Sequence, residues 1–165
     1  MSYPQSPEYQ LEQAIVPLFS SVTGVNIYTT NRTGAKLFPY ISISARPIRQ
    51  LVNPYSGVYE MQVAINYANT SAKYTANQFD EEYLQIFESL YYPTPDLNIK
   101  IQEYATDLRI YMARISSETP STDNNKRAWV RGIVVTAIVT PDPLADGVYD
   151  YEFDEANNSF YLATI

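Results

Sequence analysis

The chain has 165 residues, 11 Lys plus Arg against 18 Asp plus Glu, and neither His nor Cys. A single domain of this length buries a core without staples, and the missing residue types exclude disulfides, thiolate nucleophiles, Cys/His zinc centres and Ser-His-Asp triads. From Pro141 onward six acids (Asp142, Asp146, Asp150, Glu152, Asp154, Glu155) stand without a base, so residues 1–140 hold 11 bases against 12 acids, a balance that argues against a grip on nucleic acid or an anionic membrane.

Ser6-Pro7-Glu8 predicts a helix start: Ser caps, Pro suits the first helical position and Glu favours the positive end of the dipole. Leu11, Ala14, Ile15, Leu18 and Phe19 follow at helical spacing, and Pro17 predicts a kink or an end just before it. Beyond Gly24, residues 25–28 read as a short strand. Phe38–Ser44 is a strand with Ile41, Ile43 and Ala45 on one face and Tyr40, Ser42 and Ser44 on the other. Arg46–Ser56, with Pro47, Asn53-Pro54 and Ser56-Gly57, reads as a loop or arm.

Gly57–Ala68 carries the clearest alternation, with Tyr59, Met61, Val63, Ile65 and Tyr67 against Val58, Glu60, Gln62, Ala64 and Asn66. A period of two over that length means one buried and one wetter face. Thr75–Tyr92 is a second helix, capped by Asn77 or Thr75, with Asp80, Glu81 and Glu82 crowding its start. Phe79, Tyr83, Ile86, Phe87 and Leu90 form its apolar stripe, and Pro93 and Pro95 end it.

Three more strands are predicted. Leu97, Ile99 and Ile101 alternate with polar residues; Leu108, Ile110 and Met112 alternate with Arg109, Tyr111 and Ala113; and Trp129–Val139 is dense in Val and Ile on both faces, the mark of a central strand. Ser116–Arg127 between the last two is wholly polar and reads as a long functional loop. The order predicts an α+β fold: a mainly antiparallel sheet with two helices on one face, residues 1–140, and a C-terminal extended arm, 141–165, acidic and aromatic.

The residues carry little chemistry. Asp80-Glu81-Glu82 could serve as catalytic carboxylates, but complementing a helix N-terminus explains them better. Asp146, Asp150, Glu152 and Asp154 lack the Gly and the closing Glu of an EF-hand loop, so no metal is expected. Gly34-Ala35-Lys36 falls short of a phosphate-binding loop. The N-terminus has no basic or apolar segment, so no signal peptide is expected and three Asn-x-Ser/Thr triplets carry no meaning. The most apolar run, Ile133–Val139, is too short to span a bilayer. No catalytic, cofactor-binding or metal residue is assigned. The 16 tyrosines suit either strands or surfaces buried on assembly.

The order of elements, with Phe-Pro-Tyr-Ile-Ser-Ile (38–43), Tyr-Glu-Met-Gln-Val-Ala-Ile-Asn-Tyr-Ala (59–68) and Trp-Val-Arg-Gly-Ile-Val-Val-Thr-Ala (129–137), resembles the tail terminator or neck terminator proteins of long-tailed bacteriophages over about residues 8–140. The resemblance implies a non-enzymatic virion protein, assembled in the host bacterial cytoplasm. Such proteins form hexameric rings that cap the last ring of tail-tube protein, end tube growth and join the tail to the neck, connector or adaptor proteins. Sheath protein is a further partner in a contractile tail, and DNA passes through the bore without specific binding. The acidic aromatic extension departs from many such proteins and leaves open a head-completion adaptor or a stopper instead.

Ring closure needs one face to meet a different face of the next copy. Candidate interface residues are Tyr149, Tyr151, Phe153, Phe160 and Tyr161 on the arm, with Arg46, Arg49, Tyr55, Lys126 and Arg127 on the two expected loops. The alternatives are a monomeric module that binds a peptide or ligand on the exposed sheet face, and an enzyme using carboxylates alone, such as a glycosidase.

Overall fold

The computed structural model of the chain describes residues 6–30, 34–51, 57–91, 96–124, 127–142, 151–154 and 159–162, with 121–124 and the last two segments as main chain only. Helix α1 (Pro7–Ile15) is capped as expected, the Ser6 hydroxyl accepting the Tyr9 N–H at 3.2 Å. At Pro17 the path tightens into one 3₁₀ turn, Val16–Phe19, because proline supplies no N–H for an α-helical ladder. Then come β1 (Asn26–Thr29), β2 (Tyr40–Gln50), β3 (Tyr59–Thr70), α2 (Ala76–Tyr91), α3 (Leu97–Tyr104), β4 (Leu108–Asn124), β5 (Ala128–Pro141), β6 (Tyr151–Asp154) and β7 (Ser159–Leu162).

The first five strands form one sheet in the order β1-β2-β3-β5-β4, parallel only where β1 meets β2. The fold is α+β, with the helices on one face of a mostly antiparallel sheet. Ile41 and Ile43 of β2, Met61, Val63, Ile65 and Tyr67 of β3, and Ile133, Val135, Ala137 and Val139 of β5 point into the core against Leu11, Ile15, Phe19, Phe79, Tyr83 and Phe87. Aromatic rings bind the two layers: Tyr67 stacks on Phe79 at 5.3 Å, Phe19 meets Phe87 at 5.5 Å, and Tyr83 meets Phe87 edge-on at 4.4 Å. Each such pair adds about 1 kcal/mol beyond its buried area. Of the two expected caps for α2, Thr75 is the one used. Its hydroxyl accepts the Gln78 N–H at 3.3 Å while Gln78 Oε1 accepts the Thr75 N–H at 3.0 Å, a capping box.

The structure corrects several expectations. Residues 97–104 form a helix, not a strand. Leu97 and Ile101 sit four apart and are buried with Gln102, while Ile99 is exposed, so the helical period wins over a period of two that fits the same apolar residues. Arg46–Gln50 is no loop: β2 runs on through these residues to Gln50, pairing with β3 past a bulge between Pro47 and Arg49. Ser116–Asn124 is likewise strand, so β4 and β5 make one long hairpin closed by a turn that includes Arg127 at φ +57°. The central strand is β3, with β5 inside the sheet beside it.

Strand β4 also breaks the predicted alternation. Bulges between Ile110 and Met112, Ile115 and Ser117, and Thr119 and Thr122 each insert a residue. Leu108 and Ile110 face the main core, but beyond the first bulge Ala113 and Ile115 take over that role. Met112 turns to the opposite face, against Leu51, Val58 and Ile138. A one-residue shift must reverse the faces, because the side-chain period is two.

Candidate functional site

Among the described residues no helix covers the second face of the sheet. Its middle is polar and small: Ser44, Arg46, Gln62, Ala64 and Val134 line a shallow cavity of about 270 Å³. Here Gly132 stands opposite Asn66. A Cβ on Gly132 would fall 2.0 Å from Asn66 Oδ1 and 2.5 Å from the Ile65 carbonyl oxygen, so no other residue fits without moving backbone.

Both edges of the sheet are partly closed by buried side chains. Beyond Ile43, β1 no longer covers β2. There the buried Glu12 carboxylate of α1 accepts the Ala45 N–H at 2.8 Å, the Thr30 N–H at 3.3 Å and the Thr30 hydroxyl. At the other edge, the fully buried Gln102 amide of α3 donates to the Leu108 carbonyl at 3.0 Å and accepts the Ile110 N–H at 2.7 Å. A side-chain amide thus stands in for a neighbouring strand over the first residues of β4.

Past this point β4 is flanked by two hollows on the helix side. One, of about 390 Å³, lies between Leu90 and Leu97 of the helices and Met112, Ala113 and Ile115 of the strand, with Asp96 at its rim. The other, of about 500 Å³, lies between Leu84 and Glu88 of α2 and Glu118 of β4, and both share Tyr91. Arg131 forms the floor of the second. Its guanidinium lies 4.4 Å over the Tyr83 ring and pairs with Asp80 at 3.3 Å. The Tyr83 and Tyr91 hydroxyls meet at 2.8 Å. Burial, then this contact, pushes the Tyr83 phenol well above its usual range; burial, then a hydrogen bond to Glu118, raises Tyr91. Tyr67, raised by burial and then by donating to Glu82, is held in the same neutral state.

The acids 80–82 are therefore not helix-dipole partners. They fall beyond the first turn of α2, where Asp80 answers Arg131 and Glu82 accepts from Tyr67 and, at 3.4 Å, from Asn69. Asp80 and Glu82 tie helix to sheet, while Glu81 accepts from Asn77 at 3.4 Å within α2. Among the described residues no three acids or other metal-ligating side chains cluster, and no helix is long and apolar enough to cross a membrane.

The residues singled out from the sequence do not converge. Arg46 donates to Gln62 at 3.2 Å and Arg49 pairs with Glu60 at 2.6 Å, both on the exposed half of β2. Arg127 is exposed at the β4–β5 turn, its carbonyl accepting the Ser71 N–H at 2.8 Å. Arg46 aligns with Gln62 and the turn with Thr70, about 25 Å apart along β3. Tyr55, Lys126 and Tyr149 lie outside the described residues. Tyr151 and Phe153 fall on β6, Phe160 and Tyr161 on β7; these strands pair with each other, Phe153 opposite Phe160. This hairpin lies beside β4 without joining its ladder.

Sequence reasoning missed Glu12, Gln102, Arg109 and Arg131. One signal was present for Arg131: it is the single charge on the core face of β5, between Trp129 and Ile133. Arg109 reads as a wetter-face residue, yet it is 1% exposed, with Nη2 3.5 Å from Asp142 Oδ2. No family model matches the chain, and no curated protein matches it either.

Proposed function

We propose that the protein is a structural ring subunit at the head-proximal end of a phage tail, where it ends tube growth and joins the tail to the neck. The observation that carries the reading is the pair of unlike sheet edges, short β1 with the outer half of β2 at one end and seventeen-residue β4 at the other. Unlike edges at opposite ends favour head-to-tail association, the contact that closes into rings. The place in a tail rests on the resemblance of residues 38–43, 59–68 and 129–137. A neighbouring neck ring, adaptor or stopper, shares the same support. On this reading residues 149–165 pack on the next subunit or the adjacent ring.

Light scattering coupled to size exclusion tests it on the full chain, alone and with tail tube. A ring of about six copies, or a monomer that forms one on the tube, is expected. A strict monomer indifferent to the tube overturns the reading. That result would favour a ligand-binding module on the open sheet face, the reading that the cavity lined by Ser44, Gln62 and Val134 supports.

A further inference from the structure

Ile48 is the residue that the β2 bulge leaves over. It has no partner position in β3, which steps from Pro47 opposite Met61 to Arg49 opposite Glu60. It is an isoleucine 44% exposed, set between two exposed arginines, Arg46 and Arg49, on the part of β2 that β1 does not cover. At the far end of the sheet the hollow beside β4 has the opposite character. Its apolar walls are Leu90, Leu97, Ala113 and Ile115, and carboxylates stand near it: Asp96 in its own lining, Glu88 and Glu118 in that of the adjoining hollow. Two arginines share this surface: Arg114 lines the first hollow beside Asp96, and Arg131, in the adjoining one, is already engaged by Asp80 and the Tyr83 ring.

We propose that the occupant of this hollow is a second copy of the chain: residues 46–50 of one subunit dock along 112–118 of the next. Ile48 fills the apolar hollow, and Arg46 and Arg49, which in the single chain contact Gln62 and Glu60 of β3, turn toward the carboxylates near it. The contact rests on the ring reading and makes it specific. Both surfaces sit at opposite ends of one sheet, so the contact is heterologous and each copy offers one of each. Glu12 and Gln102 limit where it forms: each closes the inner part of its edge, at Ala45 and at Leu108–Ile110, and leaves the docking stretch beyond it. Pro47 supplies no N–H to a partner strand, so side-chain fit and charge carry more of the contact than a continuous ladder.

The chain contains no cysteine, which makes the test direct. Ile48→Cys and Ala113→Cys are placed together in the full chain and oxidised, with and without tail tube. The proposal expects a ladder of disulfide-linked species ending at the ring size, from the double variant only. Dimers from Ile48→Cys alone would mean like meets like and would overturn it. In parallel, Ile48→Asp is expected to abolish the ring while leaving the thermal midpoint within a few degrees of the wild type, because the site is exposed. A wild-type ring with neither ladder nor loss in Ile48→Asp sinks this contact and leaves the ring reading standing. A wild-type monomer under every condition sinks both.

Discussion

The two edges of the sheet face the same physical problem and solve it differently. Backbone groups on an edge must be paired, hydrated or covered. At the β2 edge a carboxylate does the covering: Glu12, buried, holds Ala45 and the Thr30 turn together. At the β4 edge a neutral amide does it, Gln102 donating to the Leu108 carbonyl and accepting the Ile110 N–H as a strand would. The carboxylate only accepts, so it suits a place where N–H and O–H groups converge. The amide does both, so it suits a strand edge whose carbonyl and N–H point the same way. In both places a helix supplies the residue, which fixes how helix and sheet dock at the two ends.

The sharpest way to break this comparison is Glu12→Ala. It strands two N–H groups and a hydroxyl that now bond a charged acceptor, and about 4 kcal/mol of unfolding free energy should be lost. Denaturant titration reads it; a loss below about 1 kcal/mol would mean that water replaces the carboxylate and that the edge is not closed there. Gln102→Ala should cost about 3 kcal/mol, for one neutral donor and one neutral acceptor. Gln102→Glu sharpens the point, since its second oxygen would face the Leu108 carbonyl. That variant should be weaker at pH 7 than at pH 4, where protonation restores a donor.

Gly132→Ala probes the ground between the edges. The new methyl meets the Ile65 carbonyl as well as Asn66, so about 2 kcal/mol should go. Asn66→Ala placed beside it should return only part of that loss, because the backbone contact stays. The smallest effect concerns pH. The Tyr83 phenol is raised in the folded state above its ordinary value of 10.0 by burial, then by Tyr91. The folded protein therefore keeps a proton that the unfolded chain gives up. The stability due to Tyr83 is whole below about pH 10 and falls as pH rises above it. Tyr83→Phe should flatten the alkaline limb of the stability curve, at a cost of about 1 kcal/mol near neutrality for the lost hydroxyl contact.

The sequence shows its elements where one period runs unbroken. Residues 59–68 keep strict alternation, and 79–90 keep the helical stripe, so β3 and α2 are legible with their buried faces. Alternation fails as a guide where the pairing is bulged. Ser116–Asn124 is polar and contains Pro120, and two inserted residues scramble its faces. It becomes strand because β5, fully formed beside it, offers a continuous ladder. Residues 97–104 fit both periods, and packing of Leu97 and Ile101 against the core decides between them.

The candidate surfaces divide in the same way. Composition alone bounds the chemistry within reach: without Cys or His, thiolate and imidazole chemistry and Cys/His metal centres are excluded. The exposed Ile48 between two arginines is written in the sequence, but nothing local says that it is a bulge on an edge strand. The hollow beside β4 is assembled from α2, α3 and β4, which meet only when the helices close over the sheet. Whether a charged or polar residue faces water or seals an edge, as with Arg109, Glu12 and Gln102, is decided by which strand end lies opposite it. That is a fact of long-range packing, and no local pattern encodes it.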